Sequence, residues 1–148
     1  MTSYDVYLGH NPDGAGTTSP SNTHANDLLT LSTDRATSGV AVVHVAGELD
    51  MSTAPRFEQG TRQVVDAGTC GLVLDLRELG FLGAAGLTGL FGLVDTPQLT
   101  CRFVVTARIV LRVLEIGDPT GRIQLAADVS TAVRECTTAH AAAYGRAS

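Results

Sequence analysis

From Leu28 onward, apolar residues recur in short regular patterns, whereas the 27 residues before it follow neither a strand nor a helix period. The runs LLTLSTD (28–34) and VAVVHVAGELD (40–50), separated by RATSG, predict two strands joined as a hairpin. Alternation in the second run puts Val43, Val45 and Gly47 on one side and Val42, His44 and Ala46 on the other. STAPRFEQGTRQVVDAG (52–68) predicts an amphipathic helix, with Ser52 or Thr53 as cap, Pro55 in the first turn, a stripe of Phe57, Val64 and Val65, and Gly68 as stop. TCGLVLDLREL (69–79) predicts a strand buried on both faces, because LVLDL does not alternate.

The chain then passes through FLGAAGL (81–87) into a second helix, whose Leu87, Leu90, Phe91 and Val94 recur at i, i+3, i+4 and i+7 and are expected to face the sheet. Ala85, Gly89 and Gly92 fall opposite that stripe, which predicts an outward strip nearly bare of side chains. Helices usually begin with Ser, Thr, Asp or Asn, whose side-chain oxygens accept first-turn N–H groups. This one offers only Gly83, Ala84 and Ala85. CRFVVTA predicts another strand, and ARIVLRVLEIG a helix with Ala107, Val110, Leu111 and Leu114 inward and Arg108, Arg112 and Glu115 outward. IQLAAD and VSTAVREC supply a last strand and helix.

The order ββαβαβαβα predicts an α/β fold: a mixed, mostly parallel sheet with an antiparallel edge hairpin and right-handed crossovers. Residues 28–137 form the expected domain, between a flexible N-terminal arm (1–27) and a short C-terminal tail (138–148). The arm is rich in Gly, Ser, Thr, Asn and Pro and cannot bury enough surface to order itself. His10 and His24 within it read as polar tail residues rather than metal ligands.

Composition narrows the function. Hydrophobic residues make up 44% of the 148 positions and charged ones 17%, which suits one domain organised by burial. The net charge is −5, with no lysine and the arginines scattered, so there is no basic stripe for nucleic acid or anionic lipid. No apolar run approaches the ~20 residues of a membrane span. The N-terminal MTSYDVYLGHNPDG lacks the pattern of a signal peptide, so a cytoplasmic protein is expected. GxxxxGK, GxSxG and HExxH motifs are all missing, and the reading is therefore of no enzyme, no cofactor and no metal. His44 reads as a half-exposed strand residue, since the sequence places no carboxylate or nucleophile beside it, and Asp75 as a structural residue bonding the loop before the second helix.

Three stretches carry a resemblance: GELDMSTAP (47–55), LVLDLRELGFLGAAGL (72–87) and VLEIGD (113–118), in order and with consistent spacing. Through them, Leu28 to Cys136 resembles the STAS domain, in particular the bacterial anti-sigma factor antagonists. The resemblance implies a partner-switching regulator, one that binds an anti-sigma factor of the serine-kinase type and so frees a sigma factor. In such a system the kinase phosphorylates a serine at the start of the second helix, and the added charge breaks the complex. The family's Asp-Ser-Ser/Thr-Gly falls here on Gly83, Ala84, Ala85 and Gly86, so the phosphoacceptor position is the degenerate Ala84.

The partner-binding residues implied are Asp50, Met51, Ser52, Thr53, Gly83, Ala84, Ala85, Gly86, Thr88 and Gly89. Asp50 has an alternative reading as the acid that caps the helix at 52 or 53. Two explanations of the missing serine stay open: an antagonist that binds but is never released by phosphorylation, or a drifted surface on a surviving fold. Two other roles are a redox-sensitive regulator and a cytosolic accessory subunit of a transport complex, and a homodimer is also left open. The redox reading rests on a register in which Leu72 faces Phe103. That register would set Cys70 opposite Cys101, about 5 Å apart and within disulfide reach.

Overall fold

The computed structural model of the chain describes residues 3–5, 28–37 and 39–144. Strands β1 (Ser3–Asp5), β2 (Leu29–Thr37), β3 (Val40–Leu49), β4 (Gly71–Leu82) and β5 (Thr100–Val104) lie side by side in chain order. The β1–β2 and β2–β3 pairs are antiparallel, and β3–β4 and β4–β5 are parallel. Helices α1 (Ala54–Asp66), α2 (Ala84–Val94) and α3 (Arg108–Gly117) follow β3, β4 and β5, and α4 (Val129–Tyr144) comes last. The predicted architecture, an antiparallel hairpin beside parallel strands, is the one observed.

The element boundaries depart from expectation in four places. Ser3–Asp5 pairs with Ser32–Asp34 as an edge strand inside the predicted arm; residues 6–27, with His10 and His24, lie outside the described residues. IQLAAD is not a strand but a single bridge between Phe103 and Leu125. Just before it, the Asp118 carboxylate accepts the N–H groups of Arg122 and Ile123 at 2.9 and 2.8 Å and curls the chain. Helix α4 runs through the expected tail to Tyr144. Strand β4 continues three residues past Leu79, because its register against β3 slips twice, between His44 and Ala46 and between Gly47 and Glu48. Each slip gives β4 one extra residue, so the inward Leu76, Leu79 and Leu82 recur every third position instead of every second.

Two cores flank the sheet. The larger joins Leu29, Leu31, Val43 and Val45 to Leu72, Leu74 and Phe103 beneath Phe57 and Val64 of α1, Leu90 and Leu93 of α2, and Val110 and Leu114 of α3. The smaller, on the other face, packs Ala132 and Cys136 of α4 onto Val40, Val42, Val73 and Val104. Helix α4 therefore covers the first half of β3 and β4. Two-sided burial of β4 ends at Leu76, and Arg77 and Glu78 are exposed.

Helix α2 buries a different stripe from the one its apolar residues predict. Gly86, Gly89, Leu90 and Leu93 are the buried positions, one residue out of phase with Leu87, Leu90, Phe91 and Val94. Close approach is the cause. A Cβ on Gly86 would lie 2.7 Å from the Leu49 carbonyl oxygen and 2.8 Å from Leu82 Cδ1, so only glycine lets α2 sit this low on the sheet. A Cβ on Gly89 would lie 3.3 Å from the Phe57 ring of α1, so Gly89 is not part of an outward strip, whereas Gly92 does look into open space.

Candidate functional site

Both the β3–α1 and the β4–α2 connections emerge at the same end of the sheet, as consecutive right-handed crossovers require. Gly83 N–H donates to the Leu49 carbonyl at 2.9 Å, and a Cβ on Gly83 would lie 3.7 Å from Asp50 Cα. The segments 50–53 and 83–88, which the sequence reading assigns to one face, are thus brought together.

Within the first segment the polar groups are committed to the turn itself. Asp50 Oδ1 accepts Ser52 N–H (2.9 Å), Ser52 Oγ–H (2.8 Å) and Thr53 N–H (3.1 Å). These bonds, the Ser52 hydroxyl's first, favour the ionised carboxylate and hold Asp50 below its ordinary range. Thr53 is fully buried; its hydroxyl accepts Asp50 N–H at 2.9 Å and donates to the Glu48 carbonyl at 2.8 Å. Thr53 stands at the cap position of α1 without a side-chain cap bond, and Asp50 caps the turn in its place. That is the capping alternative read for Asp50 from the sequence.

The second segment has no such chemistry. Gly83, in extended conformation, precedes α2 without a side-chain cap, and no acidic residue stands in the first turn. The Thr88 hydroxyl donates back to the Ala84 carbonyl at 3.1 Å. Beside exposed Glu48, Ser52 and Thr88, this end presents apolar side chains outward: Met51 is 82% exposed and Phe81 42% exposed, with Ala84 exposed as well. Of the ten implied residues, Met51, Ser52, Ala84 and Thr88 are exposed and Asp50, Gly83 and Ala85 half-buried. Thr53, Gly86 and Gly89 are buried, so their part is to shape the face and not to touch a partner.

A second polar cluster lies on the uncovered half of the sheet, and the sequence reading missed it. His44 Nδ1 lies 2.7 Å from Asp75 Oδ2, and its Nε2 3.1 Å from Asp34 Oδ2. Arg77 grips Asp75 with two bonds, Nε to Oδ1 at 2.8 Å and Nη2 to Oδ2 at 2.9 Å. Burial works to raise the Asp75 carboxyl, but the bonds from Arg77 and His44 outweigh it and hold the group at about 2. Carboxylates do therefore stand beside His44. Asp75 bonds Arg77 and His44 and not the loop before α2. Parity was the usable signal, since His44 and Asp75 sit opposite each other once β3 and β4 pair.

The expected redox pair is not formed. Cys101 lies opposite Leu72, two positions away from the expected register, and its sulfur approaches the Leu93 carbonyl of α2 at 3.6 Å. Cys70 turns to the other face and meets His140 of α4. The two thiols are on opposite sides of the sheet. Among the described residues no cluster of three or more His, Cys, Asp or Glu could hold a metal ion, and no helix is long and apolar enough to cross a membrane.

Comparison with known proteins gives the same picture. The sequence profile of the STAS domain matches residues 33–132. The anti-sigma-F factor antagonist RsfB of Mycobacterium tuberculosis is 37% identical over 70 residues, 47% of this chain; the match spans 57% of the length of that relative. The crystal structure of an anti-sigma factor antagonist from Mycobacterium paratuberculosis superimposes with a TM-score of 0.68 at 28% identity, covering 75% of this chain and 96% of that one. The murine anion transporter Slc26a9 shares the fold alone, with a TM-score of 0.57 at 19% identity over 70% of this chain and 18% of the transporter.

Proposed function

The chain belongs to the STAS domain family, and from that premise we propose that it is an anti-sigma factor antagonist, acting by binding and not by catalysis. The observation that carries this reading is the end of the sheet where Met51, Phe81 and Ala84 lie exposed together while the neighbouring polar groups are bonded within their own turns. Apolar surface of this kind favours association, and burying it against a partner desolvates few charges. The likeness to antagonists named for anti-sigma factors supplies the class of partner. A serine-kinase type of anti-sigma factor fits best, because the degenerate acceptor position lies in the middle of this face.

On this reading the protein has lost its usual off-switch. Ala84 has no hydroxyl to phosphorylate, and the nearest exposed hydroxyls, Ser52 and Thr88, are bonded to Asp50 and to the Ala84 carbonyl. Binding would be set by the amount of free protein and not by modification at this helix.

The test is titration against candidate anti-sigma factors from the same cell by calorimetry. Met51→Arg and Ala84→Arg are expected to weaken binding at least ~10-fold, in the range of a central interface residue. Arg134→Ala, on exposed α4 across the sheet, should leave it unchanged. Unaltered affinity in both of the first two variants would show that the partner docks elsewhere. Gly89 is unsuitable for such a probe because it packs on Phe57.

A further inference from the structure

The three thiols are in sharply different surroundings. Cys101 and Cys136 are buried, and burial pushes their thiols up to about 12 and about 11, so neither forms a thiolate readily. Cys70 is half-exposed and sits at the opposite end of β4 from the apolar face, roughly 35 Å away along the strand. Its sulfur lies 3.2 Å from His140 Nδ1 and 3.3 Å from the Gly39 carbonyl oxygen. That carbonyl already accepts the N–H groups of Cys70 and Gly71 at 2.8 and 2.9 Å, so it has no need of the thiol proton. The imidazole is therefore the acceptor in line to take it. A nucleophile and a base within hydrogen-bond reach form the arrangement that activates cysteine.

The geometry points to Cys70 and His140 as a thiol modification site, with Cys70 the nucleophile and His140 its positioning base. The chemical class of substrate is an oxidised low-molecular-weight thiol, a small disulfide RS–SR. His140 takes the Cys70 proton, and the sulfur attacks one sulfur of RS–SR. The Cys70 S–S bond forms as the small disulfide bond breaks, and the leaving thiolate takes the proton back from His140, giving Cys70–S–SR and RSH. The other titratable groups near the site are the Cys136 thiol, one helical turn before His140, and the Arg102–Glu135 ion pair beside it. An adduct has no room on the hairpin side, where even a Cβ on Gly39 would come within 2.8 Å of the sulfur. An adduct on the half-exposed sulfur would extend instead toward solvent and the last turns of α4. The site is independent of the partner-binding reading and stands or falls without it.

Site-resolved mass spectrometry of the native full chain tests the proposal, with iodoacetamide as the alkylating probe and oxidised mercaptoethanol as the small disulfide. Cys70 is expected to react at least ~10-fold faster than Cys101 or Cys136 with both reagents, as thiolate-controlled chemistry requires. His140→Ala should slow Cys70 several-fold, change the pH dependence of its rate, and recover in part with added imidazole. If His140→Ala loosens α4, Cys136 will label as well, and His140→Gln, which keeps the side-chain bulk, then decides by the same rate and pH profile. Cys70 reacting as slowly as the buried thiols, or an unchanged pH profile in a folded His140 variant, would overturn the assignment.

Discussion

The two polar regions of this domain use their charges in opposite ways. On the uncovered half of the sheet, Asp34, His44, Asp75 and Arg77 form a hydrogen-bonded chain that includes the Arg77–Asp75 ion pair, around a carboxylate that is buried. At the end of the sheet where β3 and β4 give way to helices, Asp50 is consumed by its own turn, Glu48 stands exposed opposite Phe81, and Met51, Phe81 and Ala84 are exposed among hydroxyls bonded locally. The first region is held together by charge, whereas the second is held by backbone bonds and close packing and leaves a quiet apolar surface. A domain that binds through the second can do so without pulling apart the first.

The largest expected effect breaks the packing on which the quiet end depends. Gly86→Val drives side-chain atoms into the Leu49 carbonyl and Leu82, and should cost about 3 kcal/mol or more, read as a lowered urea midpoint and lost partner binding together. Next comes the charged region: Asp75→Ala leaves Arg77 without its bidentate partner and His44 without one of its two, and should cost about 2–3 kcal/mol. Affinity for the partner should be kept.

The pH dependence carries a definite sign. The Asp75 carboxyl is depressed from 3.8 to about 2 in the folded state. Its contribution, of order 2 kcal/mol, is then complete above about pH 4 and fades as pH falls toward 2. Equilibrium unfolding of wild type and Asp75→Asn should differ at neutral pH and converge across that interval.

A smaller effect belongs to the turn. Asp50→Ala removes the acceptor of two N–H groups and should cost about 1 kcal/mol in thermal stability. The smallest change in stability accompanies the largest change in chemistry. Gly83→Asp with Ala84→Ser should shift stability by no more than about 1 kcal/mol, since the new cap gains what proximity to Asp50 costs. It should also create a phosphate acceptor for a cognate kinase that wild type lacks. Equal phosphate incorporation into wild type within residues 80–90 would refute the lost off-switch.

Much of the fold could be read from the chain because period and punctuation agree there: the hairpin, α1 with its Pro55 and Gly68, and the two-sided opening of β4. Reading failed where smallness, not hydrophobicity, decides. Apolar spacing assigns α2 the face of Leu87, Phe91 and Val94, but Gly86 and Gly89 occupy the tight side because nothing larger fits against Leu49 and Phe57. The segments proposed to dock were assigned through their resemblance to a family, and three of the ten residues so assigned turn out to be buried. Two pairs were out of reach of local patterns. His44 meets Asp75 only after the strands pair, and Cys70 meets His140 across 70 residues, through a helix expected to end at Cys136, four residues earlier.

The double slip between β3 and β4 has a consequence for how this strand can change over time. Side chains alternate along a regular strand, but a slip leaves its extra residue without a partner, so the faces beyond it stay matched to the neighbouring strand. Past His44 and Asp75 the count has been raised twice, and Leu82 again points inward opposite Leu49 while Phe81 stays outside. Losing the extra residue of one slip would remove that irregularity and leave Leu82 opposite Leu49 and pointing inward, because the regular alternation of β3 sets the face. Losing two would keep both orientations and only shorten the reach. Length changes of one or two residues in this strand are therefore absorbed at the slips, and the faces of Phe81 and Leu82 are set by the strand beside them.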